Sequence, residues 1–103
     1  MSDLGYSFYP THPGEVIKDE FESRGISQRE FASKTGLSYS SLNELLNGKR
    51  SLTPTMALLL ETSLNLPADS LMFMQTKYDM QTARKDRKLL ARLSRLPRIA
   101  ALW

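Results

Sequence analysis

A chain of 103 residues with 41% hydrophobic and 24% charged side chains is long enough for one small domain with a modest core, and too short for two. It contains no cysteine, which excludes a disulfide, a thiolate zinc site and a cysteine nucleophile. The net charge of +3 is unevenly spread: residues 1–76 carry six Lys/Arg against nine Asp/Glu, whereas residues 77–98 carry eight against two, so an acidic body precedes a basic tail.

The opening "MSDLGYSFYP" is acidic and lacks an apolar core, so no secretory signal is expected there. The longest wholly apolar run is "MALLL", far short of a membrane span, and a cytoplasmic, reducing compartment is the default expectation. Residues 1–12 read as an N-terminal arm. Pro13 suits a first helical position after Thr11 or His12 as cap, and this helix runs to Arg24, where Gly25 ends it. Val16, Ile17 and Phe21 make its apolar side. "SQRE" at Ser27–Glu30 fits a capping box for a second helix, which turns Phe31 and Ala32 inward and stops at Gly36. A third helix, Tyr39–Asn47, takes Ser38 as cap and Gly48 as stop. Thr53 and Pro54 open a fourth, to about Leu64. Pro67 starts a fifth, through about Ala83. "ARKDRKLLARLSRL" is a sixth amphipathic segment that ends before Pro97. Residues 13–83 form the domain and residues 84–103 a basic amphipathic extension. No strand is expected, and the fold class is all-α.

The third helix carries the functional signal. At ~100° per residue, Leu42, Leu45 and Leu46 share one apolar face, while Ser40 and Glu44 point nearly opposite and Ser41 and Asn43 lie on the flanks. A merely solvated face more often carries Glu and Lys; here Ser stands where it costs helix propensity. Tyr39 sits in the first turn and can project past the helix end. The second helix, the short turn at Gly36 and Leu37, and the third helix have the spacing of a helix-turn-helix, which places the N-terminal residues of its second helix at base edges in the major groove. Short hydroxyls permit close approach, and a tyrosine ring can pack on a thymine methyl.

Over "SQREFASKTGLSYSSLNELLNGKRSLTPTMALLLETSLNL" the chain resembles the helix-turn-helix domain of phage repressors, Cro proteins and many bacterial regulators. With "THPGEVIKDEF" before it and Gln75, Tyr78 and Asp79 after it, residues 10–80 resemble the HigA antitoxins. That resemblance implies a five-helix, phage-repressor-like domain that dimerises and binds double-stranded operator DNA. It also implies repression of its own operon and neutralisation of a HigB-type toxin, a RelE-like ribonuclease. Tyr39, Ser40, Asn43 and Glu44 match the positions that read bases. Gln28, Ser38 and Ser41 match phosphate or edge contacts, and Lys49 and Arg50 match backbone-phosphate contacts.

Bland readings stand beside these. Tyr39 can pack on the turn, Lys49 and Arg50 can be ordinary cations at a helix C-terminus, and Glu44 can form an ion pair instead of accepting from cytosine. Two other functions fit the same residues: a stand-alone repressor without a toxin, and a protein-interaction module with a vestigial helix-turn-helix. No catalytic residues, metal site or cofactor are expected, because His12 is the sole histidine and there is no glycine-rich phosphate loop. "ALLLETSLNL" and "LMFM" carry more apolar side chains than one face of a small domain needs, so Leu58, Leu59, Met72 and Phe73 are the expected dimer interface. The tail, with Leu89, Leu93 and Leu96 at helical spacing among cations, can pack on its own domain, clamp DNA phosphates, contact a partner or touch an anionic membrane.

Overall fold

Most helices here begin on a side chain that accepts the free N–H groups of the first turn. The computed structural model describes residues 11–99, which form α1 (Pro13–Arg24), α2 (Gln28–Thr35), α3 (Tyr39–Leu46), α4 (Pro54–Leu64), α5 (Ala68–Ala83) and α6 (Arg87–Ser94). There is no strand among the described residues. Ser27 accepts from the Glu30 amide, Ser38 from Ser41, Thr53 from Met56, and Asp86 from Lys88 and Leu89. Pro67 has no such side chain, and the first amide of α5, on Ala68, donates to the Glu61 carboxylate of α4 at 3.0 Å. Gly25 and Asn65 end α1 and α4 in the left-handed conformation. Residues 1–10 of the expected arm and Trp103 lie outside the described residues.

The core draws on all five domain helices. Ile17 and Phe21 of α1, Phe31 and Ala32 of α2, Leu42, Leu45 and Leu46 of α3, Ala57 and Leu60 of α4, and Leu71 of α5 are buried together with Leu52 and Leu66 of the connections. Phe21 and Phe31 meet edge to face at 5.0 Å between centroids. Val16, expected on the apolar side of α1, is instead 36% exposed. Ile17 and Phe21, four residues apart, define the inward stripe, and Val16 lies ~100° off it.

Gly14 lets α1 approach α3 closely. A Cβ at this position would collide with the backbone carbonyl of Leu45 on α3. His12 closes the same junction. It is the cap of α1, its Nδ1 accepting from the Gly14 amide at 2.9 Å, and it is only 4% exposed. Its ring meets Tyr78 of α5 edge-on, with centroids 4.9 Å apart. Of the two caps that the sequence offers for α1, Thr11 and His12, the structure takes His12.

The tail departs further from expectation. Asp86 caps α6, which spans only Arg87–Ser94 and so begins later than the amphipathic pattern from Ala83 suggests. None of its residues is buried; of the expected row, Leu89 is half-buried while Leu93 and Leu96 are exposed. Leu93 and Leu96 therefore do not pack on the domain among the described residues. Among those residues, no helix is long and apolar enough to cross a membrane.

The α1–α3 junction can be probed through stability. Replacing glycine by alanine inside a helix ordinarily stabilises by about 0.5–1 kcal/mol. Gly14→Ala is expected to reverse that sign and cost at least about 2 kcal/mol in urea unfolding, because the displaced carbonyl belongs to the α3 backbone. Burial also holds the His12 pKa below its ordinary value, against the opposing pull of a hydrogen bond to the Arg50 backbone and the charges of Asp79 and Glu15. The unfolded chain then binds more protons than the fold as pH falls through 6.5. Stability should be full above that range and decline below it, and His12→Gln should flatten this part of the pH profile.

Candidate nucleic-acid interface

The turn between α2 and α3 is made possible by Gly36, whose φ of +79° is a conformation that side chains disfavour. Leu37 follows it and packs against the core. With Leu42, Leu45 and Leu46 fully buried, the orientation of α3 about its own axis is fixed. Its opposite face is thereby committed to the outside: Tyr39 and Ser40 are exposed, and Ser41, Asn43 and Glu44 are half-buried.

The polar side chains of this face are linked to one another. Asn43 donates from Nδ2 to Gln28 Oε1 at 3.0 Å, which ties the middle of α3 to the first residue of α2. Asn47 donates to the Asn43 carbonyl at 2.9 Å and to its Oδ1 at 3.2 Å, and Lys18 of α1 reaches Asn47 at 3.4 Å. The amide of Asn43 is thus held in one orientation before any ligand arrives. Ser38 and Ser40 share a hydrogen bond at 3.0 Å. Ser38 and Ser41 also line a shallow concavity with Arg50, Ser51, Thr53 and Thr55, at the N-terminal ends of α3 and α4.

The aromatic and charged residues of the face have partners within the chain. Arg29 of α2 lies over the Tyr39 ring, 4.2 Å from its centroid, so the phenol is packed from one side by a guanidinium. Arg29 is not among the site residues expected from the sequence, nor are Ser51 and Thr55. The signal for Arg29 is local: it is the one cation in the first turn of α2, ten residues before Tyr39, and only the tight turn brings them together. Glu44 accepts from Arg50 Nε at 3.0 Å and Nη2 at 2.8 Å. The ion-pair alternative for Glu44 is therefore the arrangement found in the free protein, and Arg50 is its partner. Lys49 and Arg50 are both exposed.

The four residues expected at a dimer interface divide. Leu58 and Phe73 are 58% and 67% exposed, whereas Leu59 and Met72 are partly buried and pack against the core. Phe73 is joined on α5 by Met80, also exposed, with Thr76, Lys77, Gln81 and Arg84 around them.

This arrangement of helices is shared with known proteins. A helix-turn-helix family model matches residues 17–71. The chain belongs to the helix-turn-helix family. Virulence-associated protein I of Dichelobacter nodosus is 33% identical over 78 residues, which cover 75% of this chain and 72% of that protein. An addiction module antidote protein of a HigA family from Coxiella burnetii superposes with a TM-score of 0.73 at 25% identity, over 87% of this chain and 99% of the other. The Pseudomonas aeruginosa antitoxin HigA, solved with the higBA promoter, has a TM-score of 0.67 and 29% identity, over 72% of this chain and 82% of the other. HigA antitoxins are thus among the structural neighbours of this helix-turn-helix protein, as HPGE, NGKR and the Gln75, Tyr78, Asp79 ending suggest in the sequence.

Glu44→Gln tests the electrostatics of the interface. The pair with Arg50 is about half exposed, so its loss should change stability by less than about 1 kcal/mol. Removing one negative charge and releasing Arg50 should raise affinity for arbitrary duplex severalfold, with a salt slope steeper by about one. Titrations of a random duplex at several salt concentrations would read both.

Proposed function

We propose that this protein is a dimeric, sequence-specific DNA-binding antitoxin that represses its own operon and neutralises a HigB-type, RelE-like ribonuclease toxin. The observation that carries the DNA reading is the linked polar face of α3. Asn43 is pre-oriented by Gln28 and Asn47 beside an exposed Ser40. A solvated surface gains little from such ordering, whereas an amide that must meet a base edge gains by having its orientation settled beforehand.

In this reading α3 enters the major groove by its N-terminal end. Ser40 and Asn43 meet base edges, and Tyr39, backed by Arg29, offers its ring to a thymine methyl. Glu44 either accepts from cytosine after releasing Arg50 or keeps Arg50 aimed at the backbone. Gln28, Ser38, Ser41, Lys49 and Arg50 meet phosphates, with Ser51 and Thr55 beside them. A two-fold dimer sets the two recognition helices ~34 Å apart on a pseudo-palindromic site. The neighbour solved with its promoter supports the DNA half of the reading. The antidote and antitoxin neighbours support the toxin half.

Binding to a duplex from the protein's own promoter tests the first half. Ser40→Ala with Asn43→Ala should reduce preference for that duplex over a random one by ~1–3 kcal/mol for each base-edge hydrogen bond removed, with little change on the random duplex. Lys49→Ala and Arg50→Ala should weaken binding to both and flatten the salt slope by about one each. Unchanged slopes would mean that this face does not dock on DNA. Co-purification with a small RelE-like protein encoded beside it, and loss of that protein's ribonuclease activity in the complex, tests the second half.

Phe73 is proposed at the dimer interface together with Leu58. Phe73→Asp is expected to give a folded monomer by sedimentation, with helical content intact, because the side chain is largely exposed in the single chain. Met72→Asp should instead lower stability, since Met72 packs against the core. A folded Phe73→Asp dimer would place the interface elsewhere.

A further inference from the structure

The connection from α3 to α4 carries Lys49 and Arg50, and three separate parts of the chain hold it in place. At its start, the Gly48 amide donates to Leu45 O at 3.0 Å and the Lys49 amide to Glu44 O at 2.8 Å. Beside it, the buried His12 ring stands against Gly48, 3.7 Å from where a Cβ on that glycine would be. Because Nδ1 of His12 accepts from Gly14, the neutral ring keeps its proton on Nε2. At its end, the Leu52 amide donates to Gln75 Oε1 of α5 at 2.7 Å, and the Leu52 side chain is buried.

Gln75 is the unusual member of this set. It is a neutral polar side chain, 3% exposed, and both ends of its amide are used: Nε2 donates to Asp79 Oδ1 at 2.9 Å, four residues along α5. A leucine or methionine at this place would fill the core with no need for partners. Burying an amide is tolerated when its bonds are made, and what those bonds add here is a fixed position for the Leu52 backbone. Tyr78, on the same helix, closes over His12.

We infer that Gln75, oriented by Asp79 and assisted by His12, is a positioning residue that fixes the connection so that Lys49 and Arg50 meet two backbone phosphates at once. The inference rests on the DNA reading above. It assigns Gln75 no contact with DNA. Its effect is to remove freedom that Lys49 and Arg50 would otherwise lose on binding.

The experiment is a set of variants titrated with a random duplex over a range of salt, with circular dichroism and thermal melts run in parallel. Gln75→Leu should lower affinity about tenfold and flatten the salt slope by more than about half a unit while helical content is kept. In the Lys49→Ala, Arg50→Ala background the same change should lower affinity by less than about twofold, since the side chains it positions are gone. Gln75→Glu should fail as well, because it sets a carboxylate against Asp79. Adding Asp79→Asn to it should restore the slope, since the acceptor for Leu52 and a donor–acceptor pair along α5 are both rebuilt. Equal losses in both backgrounds, or a wild-type slope in Gln75→Leu, would overturn the inference. If Gln75→Leu does not fold, the comparison of Gln75→Glu with and without Asp79→Asn decides, together with exchange of the Leu52 amide in the unaltered protein. Rapid exchange there, or no recovery in the pair, counts against it. The DNA reading itself fails in a different place: Lys49→Ala and Arg50→Ala would then leave the slope unchanged.

Discussion

The Leu45 carbonyl leaves no room for a side chain on Gly14, and the placement of α3 depends on that contact. The N-terminal end of α1 can approach the C-terminal end of α3 only because the third residue of the His12-Pro13-Gly14 run has no Cβ. The approach brings His12 beside Gly48, where a Cβ on the glycine would stand 3.7 Å from the ring. From there the ring meets Tyr78 of α5 edge-on. One backbone contact therefore sets α3 against α1, seats the connection after α3, and joins both to α5. The leucines of α3 fix its rotation; the junction at Gly14 fixes its far end.

Much of this fold is legible in the sequence because its signals are local. Ser27, Ser38 and Thr53 act within three residues of themselves, and Pro13 and Pro54 act at their own positions. The stripe of Leu42, Leu45 and Leu46 needs only the helical period. What is not legible links residues across a turn. The Gln28–Asn43 bond spans fifteen positions and the Arg29–Tyr39 contact ten. The periodicity of α2 and α3 taken singly says nothing of either. Glu44 stands in the sequence between two roles, and only the fold of the connection brings Arg50 back over it. The tail is illegible for another reason. A leucine row at helical spacing indicates that a helix has an apolar side, but not which surface receives it. In α6 Leu89 is half-buried while Leu93, and Leu96 just beyond the helix, stay exposed.

Charge is distributed against the candidate site: the chain up to residue 76 is acidic overall, and the excess of cations lies in residues 77–98. Within the interface, Glu44 offsets one of the few local cations in the free state. A duplex must therefore either displace that pair or accept it as it stands. In the proposed complex, base-edge bonds from α3 would compensate for the broken ion pair, a gain that loose association lacks.

The same helix that holds the connection also shows its back to solvent. Phe73 and Gln75 are two residues apart on α5, about 200° around the helix, so one lies outside while the other is buried. A partner that covers Phe73 and Met80, whether a second copy or a toxin, sits across α5 from the bond to Leu52. Such a partner alters DNA affinity only to the extent that it binds one placement of α5 better than another. A partner that favours the placement seen here keeps the Gln75 bond short and the connection held. One that draws α5 outward lengthens that bond and returns to Lys49 and Arg50 the freedom it had removed. By reciprocity, DNA that selects the held connection favours the first kind of partner by the same factor and disfavours the second. In the proposed reading, opposite faces of one helix serve partner and operator, with the buried Gln75 amide between them.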